Sequence, residues 1–339
     1  MTTTRSVPAP APAAASAPAR GNALDRVPPH VYFVGSAVFH YLGPAFAVLL
    51  FARVDVLGVA WLRIAAAAVV LGLWRRPWRA VARLDADGRR LLAAWGAVLA
   101  VMNCCFYLAI DRLPLGTVAA IEFLPVIALA AIGARTARNL AAIALAVGGV
   151  YLLTNVQLDG EPLGVALAFA NAVLFAAYIV LAHRVARSGA IGGIDGLAAS
   201  MLVAAVVVTP LAGWAAVPAL GDPVALVAGV GVGICSSVIP YVFDQLAMRR
   251  LPRATYALMV SLLPATATVV GLVVLTQVPS PADLAGIAFV IAGVALHRAP
   301  QPGTPAASTP RPAARPSPTR PPSRAATPTR AASDSRARP

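Results

Sequence analysis

Three ionisable side chains lie deep inside long apolar runs of the sequence. Glu122 occurs in LGTVAAIEFLPVIALAAIG, Arg63 in VAWLRIAAAAVV and His40 in SAVFHYLGPAF. An arginine and a glutamate together complement a zwitterion, because the guanidinium group binds a carboxylate and the glutamate accepts hydrogen bonds from an ammonium group. The chemistry that these residue types offer is therefore the binding of a small zwitterionic molecule.

The apolar content of the chain indicates what surrounds these residues. Of 339 residues, 59% are hydrophobic and 12% are charged, and the mean hydropathy is +0.77. A soluble domain has about a quarter of its residues charged. Apolar runs of about 18 residues or more recur along the chain, which is typical of membrane-spanning helices. The sequence therefore predicts an all-α polytopic membrane protein.

Ten apolar segments are each near the length of about 20 residues that a helix needs to cross a bilayer. They are residues 31–51, 56–74, 91–110, 113–134, 139–156, 163–183, 194–215, 223–248, 252–276 and 281–297.

The distribution of arginine supports ten transmembrane helices. With the N-terminus inside, only Arg53 and Arg112 fall in outside loops, and this asymmetry is the expected positive-inside pattern. The thirteen arginines of the inside loops are Arg75, Arg76, Arg79, Arg83, Arg89, Arg90, Arg135, Arg138, Arg184, Arg187, Arg249, Arg250 and Arg253. We therefore expect a multi-pass protein of the bacterial cytoplasmic (inner) membrane with both termini in the cytoplasm.

The two halves of the chain resemble each other. AIDRLP at 109–114 matches AMRRLP at 247–252, an offset of 138, and AAIALAVGGV at 141–150 matches AGIAFVIAGV at 285–294, an offset of 144. The repeat unit contains five helices, and because five is odd the second copy enters the membrane in the opposite orientation. The predicted architecture is two inverted five-helix repeats.

These repeats define the predicted domains. The first repeat comprises residues 29–156 and the second residues 157–298. A disordered N-terminal arm, 1–28, precedes them, and a disordered cytoplasmic tail rich in Pro, Ala and Arg, 299–339, follows, because neither segment has the apolar content to form a core.

Several function classes are excluded or weakened by composition. All 27 basic residues are arginine, so the chain has no lysine for a phosphate-binding P-loop or a Schiff base. It has neither an HExxH motif nor a cysteine–histidine cluster, so we expect no enzyme activity, no metal and no cofactor. The net charge of +14 comes from arginines in the loops and the tail, so nucleic acid is not an expected partner.

The three buried ionisable residues lie at comparable depths. Counted from the outer helix ends at 1.5 Å per residue, Glu122 is about 12 Å deep, Arg63 about 10 Å and His40 about 16 Å. We expect them to face one cavity, with Glu122 as the candidate for proton coupling. The alternatives are an Arg63–Glu122 pair that only joins two helices, and a His40 hydrogen-bonded to the backbone.

Three further polar residues are candidates for the site. Asn103 and Tyr107 on the third segment are predicted to line the cavity, although interhelical hydrogen bonding accounts equally well for Asn103. A position near an outer helix end accounts equally well for Tyr107. Asp244 lies about four residues from the inner end of the eighth segment and is either a cytoplasmic gate residue or a solvated acid.

Two stretches carry a family resemblance. FYLAIDRLPLGTVAAIEFLPVIALA (106–130) and SSVIPYVFDQLAMRRLPRATYALMVSLLPATATVVGL (236–272) resemble the ten-helix EamA-type exporters of the drug/metabolite transporter superfamily, in particular the threonine/homoserine exporter branch. The resemblance covers about residues 30–297 and implies inverted repeats around a central cavity, with no cofactor. The chain departs from the family pattern in lacking a glycine between Leu124 and Pro125, and in having Asp244 and Leu263 where relatives often have glutamate.

The residues and the resemblance together predict a secondary transporter. We expect it to export small amino acids or related polar metabolites by alternating access, with a proton as the candidate coupling ion. Its partners would be the small-molecule substrate and the lipid bilayer. Efflux of multidrug or cationic compounds, for which Glu122 alone would matter, is the alternative function, and a membrane-embedded enzyme or scaffold is a further one.

Overall fold

The computed structural model describes residues 27–125, 136–158, 161–248, 250–251 and 259–296. All regular secondary structure in these ranges is helical. Residues 1–26 of the predicted N-terminal arm and the whole predicted C-terminal tail lie outside the described residues, as do the ends of the fourth and ninth apolar segments at 126–135 and 252–258.

Among the described residues of the first half of the chain, the structure defines the bounds of six helices. They are α1 Pro29–Leu50, α2 Val56–Arg75, the short α3 Trp78–Val81, α4 Ala86–Ile110, α5 Leu115–Glu122 and α6 Ala137–Leu158. The second half contains α7 Pro162–Ser188, α8 Gly193–Leu220, α9 Pro223–Gly233, a π-helical turn Ile234–Val238, α10 Ile239–Met248, α11 Leu263–Leu275 and α12 Pro281–Leu296.

Aspartates fix where several helices begin. The side chain of Asp55 accepts a hydrogen bond from the Leu57 N–H at 2.9 Å at the start of α2. Asp85 does the same for Gly88 at 2.8 Å before α4, and Asp222 for Val224 at 2.9 Å before α9. The first N–H groups of a helix have no partner within it, and a side-chain acceptor satisfies one of them.

The helices confirm a multi-pass, all-helical membrane protein. Within the described ranges, six spans are long and apolar enough to cross a bilayer: Pro29–Leu50, Val56–Arg75, Ala86–Ile110, Pro162–Ser188, Gly193–Leu220 and Pro223–Asp244. Shorter apolar helices occupy Ala137–Leu153, Leu263–Leu275 and Pro281–Leu296. Helical residues occur in each of the ten predicted segments, while ten crossings and the inverted orientation of the halves stay predictions.

Helices of one half pack mainly against helices of the other half. α2 contacts α8, α5 contacts α11 and α6 contacts α12. α1 packs against α9, the π-helical turn and α10, and α7 packs against α4. In the predicted repeat, α2 corresponds to α8, α5 to α11 and α6 to α12, so each of these contacts joins a helix to its own counterpart. α1 corresponds to α7, and α4 to the segment from α9 to α10, so the contacts of α1 and of α7 are equivalent. This is the contact pattern expected of two related halves.

The α6–α12 contact shows this relation at the level of single residues. A Cβ atom built on Gly149 would lie 2.6 Å from the Gly286 carbonyl oxygen, and one built on Gly293 would lie 2.7 Å from the Ala142 carbonyl oxygen. At the sequence offset of 144, Gly149 corresponds to Gly293 and Ala142 to Gly286. The two contacts are therefore images of each other, and both need small residues because the backbones touch.

Ion pairs occur at both ends of the α2–α8 pair. Arg53, before α2, contacts Asp222, after α8, with 3.3 Å between Nη1 and Oδ2. At the other end, the Nε of Arg75 lies 2.9 Å from the Oδ1 of Asp195 near the start of α8. Partly exposed pairs of this kind contribute about 0–1 kcal/mol each, so we assign them a role in holding helix ends together rather than in overall stability.

The predicted topology has a direct test. We expect a cysteine at Asp111 to react with a membrane-impermeant maleimide in intact cells, and one at Asp87 to react only once the membrane is opened, because arginines concentrate in the predicted inside loops. The measurement uses the full chain with Cys104, Cys105 and Cys235, which all lie in helical segments, replaced by alanine. Labelling of both positions from the same side would contradict the predicted orientation.

Candidate functional site

A cavity of about 430 Å³ lies between helices of both halves of the chain. Its ionisable lining residues include His40 on α1, Arg63 on α2, Glu122 on α5 and Asp244 on α10, and Asn103 on α4 lines it as well. The structure therefore brings five of the six predicted site residues to one space. Tyr107, the sixth, is fully buried beside Arg63 and is not among the lining residues.

Glu122 lies at the last turn of α5, and its carboxylate contacts the second half of the chain. The residue is 9% exposed, and the amide nitrogen of Asn171, on α7, donates a hydrogen bond of 3.1 Å to its Oε1 atom. Pro125 follows three residues later and has no N–H, so the Ile121 carbonyl lacks its helical donor, in agreement with the end of α5 at this point.

Arg63 is surrounded by oxygen atoms and an aromatic ring. Its Nη1 atom donates a short hydrogen bond to Oδ1 of Asn103, and its Nη2 atom lies 3.5 Å from the Ser236 carbonyl oxygen. The guanidinium carbon lies 5.4 Å from the centre of the Tyr107 ring, which is within the range of a cation–π interaction. Asn103 is oriented by donating its own amide to the Leu99 carbonyl at 2.8 Å.

The Ser236 carbonyl lies in the π-helical turn, and Pro240 accounts for a free carbonyl acceptor in this turn. Proline has no N–H, so one carbonyl in the preceding turn is left without a main-chain donor. The Ile239 N–H bonds to the Ile234 carbonyl, five residues back, which is the π pattern. π-Helical turns inside α-helices occur frequently at functional sites.

Arg63 and Glu122 do not form an ion pair with each other. Four ion pairs occur in the ranges that the structure describes, and none joins these two residues. Each has a neutral partner instead, Asn103 and Ser236 for the guanidinium group and Asn171 for the carboxylate. The structural alternative of a direct Arg63–Glu122 pair is therefore not what the structure contains.

Several buried polar atoms in or next to the wall of the cavity have no hydrogen-bond partner within the described part of the chain. They are the hydroxyl of Tyr41, Nε of Arg63, the hydroxyl of Tyr107 and Oδ1 of Asn171. Tyr41, Arg63 and Asn171 line the cavity, and Tyr107 lies directly behind Arg63. Because folded proteins leave few such atoms unpaired, a cluster of them beside a cavity indicates a place for a polar ligand or water.

His40 and Asp244 lie at the cavity with different surroundings. The imidazole of His40 packs edge-on against Tyr41, with 5.1 Å between ring centres. No hydrogen bond from its side chain to the backbone occurs in the described residues, so the backbone-bonded histidine of the alternative is not found. Asp244 is half-buried on α10, four residues before the end of that helix at Met248.

Asn171 is not one of the six predicted site residues, although the sequence offers two explanations for it, a place at the cavity or an interhelical hydrogen bond. It is the only amide in the apolar run LGVALAFANAVLFAAYIVL (163–181), and a lone amide in such a run needs a partner. What the sequence alone could not supply was the identity of that partner, since Glu122 is 49 residues away.

Known proteins resemble this chain in sequence. Residues 162–298 match the EamA-like transporter family. The threonine/homoserine exporter RhtA of Escherichia coli strain K12 is 32% identical over 253 residues, which cover 74% of this chain and 84% of that protein. The exporter of the same name from Salmonella typhimurium strain SL1344 is 31% identical over 267 residues, covering 76% of this chain and 89% of that protein.

A solved crystal structure is similar in fold. It superposes with a TM-score of 0.53 at 18% sequence identity, and the match covers 79% of this chain and 96% of the other. The helical arrangement described above is thus one that a solved structure shares.

Proposed function

The chain belongs to the EamA-like transporter family, and we propose that this membrane transporter exports small polar amino acids, with threonine and homoserine as the first candidates. The names of its relatives in Escherichia coli and Salmonella typhimurium support this substrate class. The transporter family and the apolar helices support a location in the bacterial inner membrane.

The observation that carries the proposal is the separate placement of Arg63 and Glu122 in one cavity. Because the two charges do not neutralise each other directly, both are available to a ligand. An amino acid would place its carboxylate toward the Arg63 guanidinium group, whose Nε has no partner in the described residues, and its ammonium group toward Glu122.

The cavity position supports loading from the cytoplasmic side. Its lining residues extend from the predicted inner parts of the helices, for example Ser36 on α1, Leu197 on α8 and Asp244 on α10, as far as Phe106, four residues before the predicted outer end of α4. The predicted outer ends of α4 and α5 form a closely packed cluster around Ile110 and Leu115. The proposed state is therefore inward-facing, and alternating access would open the opposite end.

Glu122 is also the proposed carrier of the coupling proton. One carboxylate cannot hold a substrate ammonium group and a proton at the same time. Protonation from the outside would displace the ammonium group, and deprotonation on the inside would restore the acceptor for the next substrate molecule. Export would then be driven by inward proton movement.

Efflux of cationic compounds is the second candidate function, and the aromatic walls of the cavity favour it. Phe175 and Tyr178 line the cavity with stacked rings whose centres are 6.1 Å apart, a surface that suits apolar or cationic ligands.

Growth of a bacterial host without its own amino-acid exporters separates the two functions. We expect expression of the chain to protect against toxic concentrations of threonine or homoserine, and not against a panel of cationic drugs. Membrane insertion is verified for each culture, and the empty vector is the control. Protection against drugs alone would favour the second function, and protection against neither, with the protein correctly inserted, would contradict export.

A further inference from the structure

Asn171 uses its amide nitrogen but not its amide oxygen for hydrogen bonding in the described residues. Its amide nitrogen donates to Glu122, while its Oδ1 atom has no partner within the described residues, although the residue is 0% exposed. Asn171 and Glu122 both line the cavity, so the amide and the carboxylate belong to the same wall.

The orientation of this amide follows from the chemistry of its neighbour. A carboxylate only accepts hydrogen bonds, so the NH₂ group of Asn171 faces Glu122, and Oδ1 of the same amide is left out of that contact. Asn171 therefore holds the carboxylate in place and adds a second acceptor beside it. A buried acceptor without a donor is unfavourable, and a ligand that brings a donor relieves this.

We propose that Asn171 determines specificity for a primary ammonium group. The inference rests on the proposed function and extends it to the substrate class, namely α-amino acids with an unmethylated amino group. In the bound state, one N–H of the ammonium group donates to the Glu122 carboxylate and a second donates to Oδ1 of Asn171.

Charge alone would not give this selectivity. A quaternary ammonium group carries the same charge as a primary one but has no N–H to donate. Its binding would leave Oδ1 of Asn171 buried and unpaired, and it would deprive Glu122 of a charge-assisted hydrogen bond. The affinity of a ligand should therefore depend on its number of N–H donors, and Asn171 should be the residue that causes this dependence.

A methylation series tests this. Purified full-length protein in lipid nanodiscs binds radiolabelled L-threonine in competition with L-threonine and its N-methyl, N,N-dimethyl and N,N,N-trimethyl derivatives. For the wild-type protein we expect apparent affinity to fall about tenfold or more between the N-methyl compound, with two N–H donors, and the N,N-dimethyl compound, with one. In Asn171→Ala and Asn171→Ser this step should shrink to about threefold or less, because the second acceptor is gone.

Asn139→Ala is the matched control. Asn139 is a buried asparagine on α6, at 2% exposure, and it does not line the cavity. We expect this variant to keep the wild-type series, which separates loss of the acceptor from a general loss of packing.

Each outcome is decisive. A wild-type series without a step at the N,N-dimethyl compound would overturn the inference even if both Asn171 variants fail to fold. Asn171 variants that bind threonine and keep the wild-type step would overturn it while leaving the proposed function standing. Wild-type protein that binds none of the four compounds would contradict the proposed function as well.

Discussion

Glu122→Gln should abolish transport, with a rate at least about 100-fold below that of the wild-type protein, and should leave the fold intact. Glutamine keeps the shape of glutamate, and its oxygen can still accept the hydrogen bond from Asn171, which is 3.1 Å long in the wild-type protein. It has neither the negative charge that binds an ammonium group nor a proton to exchange. The variant therefore removes the proposed chemistry and retains the contact between α5 and α7.

Threonine efflux from preloaded proteoliposomes measures the rate, and a thermal unfolding curve of the purified variant measures the fold. Glu161→Gln is the matched control, because Glu161 precedes α7, is exposed and makes no side-chain cap for that helix. We expect wild-type transport from the control. A Glu122→Gln protein that unfolds or fails to insert would instead support a structural role for the carboxylate.

Gly149→Ala should destabilise the protein, whereas Gly148→Ala should not. The added Cβ of residue 149 would lie 2.6 Å from the Gly286 carbonyl oxygen, and that of residue 148 would meet nothing closer than 3.8 Å. The first change forces two helix backbones apart, at a cost of about 1–3 kcal/mol. The second replaces glycine by a better helix former and stabilises the helix by up to about 1 kcal/mol.

The midpoint of thermal unfolding in detergent compares the two variants, which differ by one position on the same helix. Gly293→Ala extends the comparison, since its Cβ would lie 2.7 Å from the Ala142 carbonyl oxygen at the image of the same contact. We expect it to lower the midpoint about as much as Gly149→Ala. Equal midpoints for Gly148→Ala and Gly149→Ala would show that the close α6–α12 contact is absent from the folded protein.

Hydropathy predicted the apolar portions of the helices well and their polar ends poorly. The second segment was predicted at 56–74 and α2 spans Val56–Arg75. The third was predicted from residue 91, but α4 begins at Ala86, because its first turn is polar and includes Asp87 and Arg89. A hydropathy pattern does not reveal a polar helical turn that extends beyond the apolar layer. Asp85, as a capping residue, indicates that the helix begins there.

The sequence identified the charged residues of the cavity but not their partners. A charge inside an apolar run stands out in any sequence, which is why Arg63 and Glu122 could be selected. Their partners depend on how each helix is rotated and which helix lies beside it, and those are properties of packing. The Arg63–Glu122 pair was therefore a reasonable alternative, and only the structure shows Asn103 and Asn171 in the partner positions.

The ion pairs at the two ends of α2 and α8 bear on which helices would move in the proposed alternating access. Both pairs, Arg53–Asp222 and Arg75–Asp195, are formed in the same structure as the cavity. An ion pair that had to break for the cavity to open would be absent at that end. The α2–α8 pair thus keeps the contacts at both of its ends in this one state, which suits a stationary unit about which the remaining helices would tilt.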